Sequence, residues 1–514
     1  MITVRKKIKL YLTQYEHFYS YTFALLIYFI KISKFEKIQI TYGDDSWVLV
    51  GSVYESLYDK LICCTLTHPG SSLIFQLIFK ISESTDLFIK ILFLIFCLLS
   101  AVVVNNKYLY LNTYSKLIFL SLVLNSPMLM NYSLRPKPYI MEALITIYIL
   151  SLLQKALRES YLPRSTIILF SLSLFISLIT IIPIIAFFIV LIRKRKLVIN
   201  ESKFLHLFFS IYVLGISYFS FLRKSDELDN FWIAYFAPQD GGFNLFFRWL
   251  YYSGLRIFSE SNKLDLGASD FTILLSVVLF LLGLYYLIFV TADTSIVEFI
   301  FYIFIINIGL SIFRVFPFGG SRVNIYYMIL IIYIMSFGIY YLVELVPLSN
   351  ARVTMVYIVL MVYSINSLSI SYNQTTRGFD QQAASDIINF VNTTNEDVII
   401  YHGGLWTIGT FFEKELAMEN VSYPWLGSGV SNMPTPDFNQ SNIHIVCRRY
   451  KDEGHCFEKM KKYLIENNFT NIYLASIHTR EYQNKEYMDA FDNQGYKKEV
   501  KIFGQEAKLI RFYK

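Results

Sequence analysis

Apolar runs long enough to cross a bilayer recur along this chain, and they limit its fold more than any other feature. A spanning helix needs about 20 largely apolar residues. Runs of that kind fall near 11–33, 85–104, 114–133, 138–154, 165–180, 181–192, 203–222, 271–290, 296–315, 323–346 and 353–370. Backbone polar groups inside lipid must be satisfied within their own segment, so such runs read as helices. The sequence therefore predicts a polytopic α-helical membrane protein with about eleven transmembrane helices. Composition agrees: 55% of the 514 residues are hydrophobic and 17% charged. The basic start at 5–9 leads into an apolar run with no small-residue cleavage site, which reads as a first span. The apolar stretch 68–81 is short and is expected in or under the membrane interface. A net charge of +7 lies in clusters between the spans. No basic stripe interleaved with aromatics is visible, so nucleic acid is not an expected partner.

Lys and Arg near span ends set the expected orientation. Arg193, Lys194, Arg195 and Lys196 form the strongest cluster and are placed on the cytoplasmic side. Lys107, Lys116, Lys155, Arg158, Arg164 and Arg352 share that side if 165–192 goes in and comes back. Pro183 suits two short helices or a broken hairpin there; a single span would invert everything after it. Lys31, Lys34 and Lys37 fall on the outer side against the rule, where they would snorkel or meet an anionic lipid group. In this arrangement the connections 34–84, 223–270 and 316–322 share the outer face with the turn 131–137. So does everything after 372, where the composition turns polar. Short β-branched runs at 398–401, 443–446 and 471–474 alternate there with helical patterns at 385–392 and 457–467. The expected division is a membrane domain over 1–372 and a small extracytoplasmic α/β domain over 373–514. Cys447 and Cys456 flank a short polar segment, and a hairpin disulfide joins them if the compartment is oxidising. Neither this pair nor Cys63 and Cys64 has metal-ligand spacing.

Several outer segments carry chemistry-bearing residues. Asp44 and Asp45 lie beside an apolar surface, where a carboxylate is a stronger base than in water. Either could instead cap a helix starting at Ser46. His68 opens the run 70–81, as a ligand-facing group or a hydrogen-bonded structural one. Arg135 and Lys137 sit between two spans beside Pro136 and Pro138. A lipid headgroup or a bound lipid phosphate would account for them. The segment 316–322, FPFGGSR, offers a tight turn whose backbone can approach an anion, with Arg314 and Arg322 nearby. The segment 229–260 is rich in aromatics and could lie on the membrane surface as one wall of a site.

Taken in order, these pieces resemble the bacterial relatives of the dolichyl-phosphate-mannose protein mannosyltransferases, in the GT-C superfamily of membrane glycosyltransferases. Asp44-Asp45-Ser46-Trp47 is similar to that family's Asp-Glu pair after the first span. His68-Pro69-Gly70 stands for its His-Pro-Pro. Tyr132, Ser133, Arg135, Lys137, Pro138, Tyr139 and Glu142 line up with a later Tyr-Ser-x-Glu-x-Lys-Pro-Tyr-x-x-Asp pattern. Phe231, Trp232, Tyr235, Phe236 and Pro238 resemble its Tyr-Trp-x-x-x-Phe-x-Pro segment, and Phe316-Pro317-Phe318-Gly319 with Arg322 its Pro-Phe-Gly turn. Two departures stand out: Asp45 replaces Glu, and Arg135 replaces an acid.

The resemblance implies an inverting transfer of a sugar from a polyprenyl-phosphate donor to an acceptor hydroxyl on the outer face of the plasma membrane. Asp44 would be the base and Asp45 its partner or an acceptor orienter. Lys137, Arg322 and Arg135 would hold the donor phosphate; His68, Tyr139, Glu142 and Trp232 would bind substrate. The acceptor would be a glycan, lipid or protein. No cofactor is implied, although carboxylates at 44, 45, 55 and 59 could supply oxygen ligands to a divalent metal. Two other readings stay open: a lipid-linked-glycan flippase, and a catalytically silent scaffold.

Overall fold

The computed structural model describes residues 16–33, 49, 69–82, 85–109, 111–159, 164–194, 236–239, 242–261, 269–319, 324–346, parts of 351–361, 381–401, 404–410, 416–422, 432–438, 441–447, 456–477, 485–504 and 507–514. The chain divides into two compact units, one of 1–34 with 90–372 and one of 35–89 with 373–514.

The first unit is helical. Its described elements are α1 (Glu16–Ile32), most of α3 (Thr85–Val104), α4 (Thr113–Asn125), α5 (Pro127–Ser133), α6 (Tyr139–Glu159), α7 (Arg164–Ile176), α8 (Ile181–Arg193), α9 (Gly242–Ser261), α10 (Ser269–Tyr285), α11 (Thr294–Ile312) and α12 (Ile325–Glu344). Among the described residues, four helical stretches are long and apolar enough to cross a membrane: Leu87–Val104, Tyr139–Glu159, Thr294–Ile312 and Ile325–Glu344. α1, α4 and the segments Leu178–Arg193 and Leu274–Val290 are apolar but shorter. The chain is an integral membrane protein. The expected spans at 203–222 and most of 353–370 lie outside the described residues.

α12 is the axis of this unit, with 83% of its apolar window buried. It packs against α4, α6, α9, α10 and α11. Its closest approach is to α10, and glycine makes it possible. A Cβ on Gly338 would lie 2.0 Å from the Leu279 carbonyl oxygen, and one on Gly283 would lie 2.0 Å from that of Ile334. Apolar burial gives no helix-to-helix driving force in lipid, so close backbone packing at small residues substitutes for it. A polar tie adds to it: the buried Tyr326 hydroxyl donates to Asn307 Oδ1 on α11 at 2.5 Å.

The ambiguous stretch 165–192 is two helices. A 3-10 turn at Leu178–Thr180 separates α7 from α8. The Phe170 ring lies 5.1 Å from that of Phe187 and 6.0 Å from that of Phe188, so the chain doubles back. A continuous helix would set residues 17 positions apart by about 25 Å. Pro183 falls in the first turn of α8, where its missing N–H costs little.

The second unit holds α2 (Pro69–Ser82) and a five-stranded sheet. Phe75 and Phe79 on α2 pack against Phe88. The strands are β1 (Val398–Ile400), β4 (Ile443–His444), β5 (Asn471–Ile477), β6 (Lys497–Phe503) and β7 (Ala507–Tyr513), in the order β4-β1-β5-β7-β6. β4, β1 and β5 are parallel and β5, β7 and β6 antiparallel. β1 is buried throughout, as a central parallel strand must be, whereas the edge strand β6 is largely exposed and carries Lys497, Lys498 and Lys501. Helices α13 (Gln381–Thr393), α15 (Cys456–Asn467) and α16 (Lys485–Asn493) accompany the sheet, and a short helix α14 (Leu405–Thr410) follows β1 in the chain. Its core includes Ile399, Leu464, Leu474, and Phe491 stacked on Phe512 at 3.7 Å. A second ribbon pairs β2 (Leu416–Ser422) with β3 (Asn432–Phe438). Cys447 and Cys456 are disulfide-bonded, with Cα atoms 5.7 Å apart.

Candidate active site

The described candidate residues collect at one end of the helical unit, and the chain breaks there put them in place. Ser126 caps α5 through a bond from the Leu129 N–H to its Oγ, with Pro127 opening the helix. α5 lasts seven residues before the Arg135-Pro136-Lys137-Pro138 turn, because two prolines cannot continue it. The turn is closed by the Lys137 N–H donating to the Arg135 carbonyl at 2.7 Å. Arg135 lies over the Tyr132 ring at 5.1 Å, and Tyr132 meets Tyr139 edge to face at 5.4 Å. Arg135, Lys137 and Tyr139 are thus held half-buried on one short, stiff corner.

Glu142 follows in the first turn of α6 and is fully buried. Its Oε1 accepts a hydrogen bond from the Ser177 hydroxyl at 2.7 Å, which ties α6 to the tip of the α7–α8 hairpin. Its Oε2 is buried with no hydrogen-bond partner among the described residues. An ionisable side chain is costly to place inside a membrane bundle.

The turn after α11 is pinned at three points. The Tyr327 hydroxyl donates to the Gly319 carbonyl at 2.7 Å and accepts from the Gly319 N–H at 3.2 Å. Asn324 Nδ2 donates to the Pro317 carbonyl. Phe318 packs on Trp249 of α9 and Phe304 of α11. Gly319 has φ +125°, and a Cβ there would press on Ser253 at 3.3 Å, so both conformation and space require glycine. The neighbouring Ala237 N–H donates to Ser311 on the last turn of α11, which brings the Phe236-Ala237-Pro238 segment to the same end. α9 completes the neighbourhood, since it packs against α5 as well as against this turn. Two donors are left over there: Trp249 Nε1 and Arg314 Nε are buried with no hydrogen-bond partner among the described residues.

Lys31 departs from expectation. It neither snorkels nor stands at the lipid surface: it is 1% exposed, and its ammonium donates to the Leu124 carbonyl at 2.7 Å and to Met130 Sδ at 3.1 Å. It docks the end of α1 onto the α4–α5 break. The segment 229–260 also differs in part, since its C-terminal half is the regular helix α9, with Phe243, Phe247, Tyr251 and Tyr252 exposed.

Asp44, Asp45, His68, Trp232 and Arg322 lie outside the described residues. Of the sequence candidates, the structure therefore brings together Arg135, Lys137, Tyr139 and Glu142, with the Phe316–Gly319 backbone held through α9. Ser177, Tyr327 and Asn324 were not singled out by sequence. Their signal is a hydroxyl or amide inside an otherwise apolar run, and most such residues only bond their own helix backbone.

No family model matches this sequence, and no curated protein matches it. By structure the chain is similar to ArnT from Cupriavidus metallidurans, solved bound to undecaprenyl phosphate, with a TM-score of 0.52 and 9% identity. The match covers 95% of this chain and 96% of that one. It is also similar to the arabinofuranosyltransferase AftD from Mycobacteria, at a TM-score of 0.47 and 10% identity, over 97% of this chain and 39% of AftD. At 9% identity the ArnT likeness speaks to the fold, and it extends from end to end. The chain shares the fold of that ArnT structure over nearly its whole length.

Proposed function

We propose that this protein is an inverting membrane glycosyltransferase that moves a sugar from a polyprenyl-phosphate carrier to an acceptor hydroxyl. The observation that carries the reading is the end-to-end likeness to a structure bound to undecaprenyl phosphate. A fold hosts many functions, so the site must support the reading separately. It does so through charge and geometry. Arg135, Lys137 and Arg314 gather cations at one end of an apolar bundle, beside a glycine turn and an aromatic helix.

In the proposed reaction the acceptor oxygen forms a bond to the anomeric carbon. The bond from that carbon to the phosphate oxygen breaks, and its electron pair leaves with the phosphate. The acceptor proton passes to the Asp44 carboxylate, with Asp45 orienting the acceptor or Asp44. Lys137, Arg135, Arg314 and Arg322 stabilise the charge that grows on the leaving phosphate, an interaction worth most where water is excluded. Tyr139 and the exposed aromatic face of α9 line the way for the polyprenyl tail. We place the site on the extracytoplasmic side because the Lys and Arg cluster at 193–196 in the sequence reads as cytoplasmic.

The test is transfer from a defined polyprenyl-phosphate sugar by the purified full chain, compared between wild type, Asp44→Asn and Asp45→Asn. Removing a general base costs about 10²–10⁴-fold in rate. A folded Asp44→Asn protein that transfers at the wild-type rate would refute the base assignment. Failure of the wild type with every polyprenyl-phosphate donor, at matched folding, would count against the activity itself.

A further inference from the structure

The opposite end of the helical unit carries a second polar concavity that the proposed reaction does not use. It is an open cavity of about 310 Å³, lined by Lys107, Asn112, Ser115, Arg158, Tyr286 and Phe337 among others. It sits at the N-terminus of α4, a helix of 13 residues capped by Asn112, whose Oδ1 accepts the Ser115 N–H at 2.9 Å. The positive end of the α4 dipole therefore faces the cavity. Ser115 is 1% exposed, and its hydroxyl is buried with no hydrogen-bond partner among the described residues. A buried donor at a helix N-terminus calls for an acceptor.

Charge at the rim points the same way. Lys107 and Arg158 are exposed beside the cavity. The ammonium groups of Lys107 and Lys155 lie over the Tyr108 ring at 4.8 and 5.1 Å, which gathers two cations at this edge. Glu159, the carboxylate on the adjoining turn, is engaged by the Tyr108 hydroxyl at 2.6 Å. Apolar burial does not need this arrangement, and a purely topological charge cluster would not need the cavity or the buried hydroxyl.

We propose that this cavity binds a phosphate group, held by Lys107 and Arg158 and seated on the α4 N-terminus with the Ser115 hydroxyl donating to it. Basic pockets between membrane helices suit anionic headgroups in general. The same chemistry would accept a free phosphate. The site is separate from Arg135 and Lys137, which lie at the other end of α6 from Arg158.

The test uses the full chain in detergent with two probes, dihexanoyl phosphatidylglycerol and inorganic phosphate, and reads bound ligand by native mass spectrometry and calorimetry. Lys107→Gln/Arg158→Gln should weaken binding by more than about tenfold, since two charge-assisted contacts are lost. Ser115→Ala should weaken it by about two- to tenfold. Lys461→Gln/Lys462→Gln removes equal charge from α15 and should leave binding unchanged. Binding of the lipid but not of phosphate assigns a membrane headgroup; phosphate that binds and displaces the lipid assigns a general phosphate site. The proposal is overturned if neither probe binds the wild type, if the Lys107/Arg158 variant and Ser115→Ala both bind like wild type, or if the control loses as much.

Discussion

Gly338→Ala is expected to be one of the most damaging single-methyl changes in this chain, and the reason is geometric. The added carbon would stand 2.0 Å from the Leu279 carbonyl oxygen, 2.9 Å from its carbon and 3.1 Å from the Gly283 nitrogen. Close carbon-to-oxygen contacts between backbones settle at about 3.3–3.6 Å, so α10 and α12 must separate locally by more than about 1 Å. The obstacles are backbone atoms, and no rotamer change removes them. A gap of about 0.5–1 Å already forfeits a quarter to a half of the dispersion attraction along the crossing. Overpacking typically costs about 1–3 kcal/mol, and the upper end applies here. Gly283→Ala meets the Ile334 carbonyl at the same 2.0 Å and should cost a similar amount. One separation of the helices relieves both clashes. The double variant should therefore fall short of the sum by about 1 kcal/mol or more. Gly309→Ala is the control: it lies within α11 with nothing within 4 Å of the new carbon, and should be neutral or slightly stabilising. The assay is equilibrium unfolding of the full chain in mixed detergent micelles, followed by helical circular dichroism. A Gly338→Ala protein within about 0.5 kcal/mol of wild type, or strict additivity with Gly283→Ala, would refute the close-crossing argument.

Three further outcomes follow from particular contacts. Ser177→Ala leaves the buried Glu142 carboxyl without its hydroxyl donor and should destabilise by about 1–3 kcal/mol in the same unfolding assay, with Glu142→Gln milder because an amide still accepts from Ser177. Tyr326→Phe removes the tie to Asn307 and should cost about 1 kcal/mol, which Asn307→Ala in the same background should not repeat in full. Reducing the Cys447–Cys456 bond, which closes a loop of 9 residues' separation, should cost about 2–3 kcal/mol, read as earlier proteolysis of the 373–514 region while the helical unit stays resistant.

Much of the helical layout was legible because lipid imposes a length and a composition on every span. The runs at 85–104, 138–154, 296–315 and 323–346 correspond to long apolar helices. The break inside 165–192 was legible as a pair of alternatives, since the basic cluster at 193–196 asked for a return and Pro183 allowed one. What chose between them is Phe170 meeting Phe187, a tertiary contact that no periodicity encodes. In the sheet, β1 and β5 announced themselves through β-branched runs. β6 and β7 did not, because Lys and Glu on the exposed positions of β6, and the half-buried Lys508 and Arg511 of β7, break the apolar pattern.

The sequence offered the candidate site as residue types on one expected face, and of these Asp44, Asp45, His68, Trp232 and Arg322 lie outside the described residues. Arg135, Lys137 and Tyr139 do share a corner, and prolines set its shape. Its supports were not legible. Tyr327 in α12 looked like one more aromatic in a span, yet it holds the Gly319 turn through both of its hydroxyl roles. Lys31 looked like a charge out of place at a span end, and burial against the Leu124 carbonyl explains it. Sequence shows that a polar group is expensive in an apolar run; which partner satisfies it depends on helices far apart in the chain.

The central claim is that the cationic end of the bundle receives a polyprenyl phosphate. The measurement that bears on it most directly is a structure of the full chain with that lipid bound. The account predicts the phosphate within ion-pair reach of Lys137 and Arg314, beside the Phe316–Gly319 turn, with the tail along α9. A phosphate seated instead beside Lys107 and Arg158, with the Arg135–Lys137 corner empty, would contradict it.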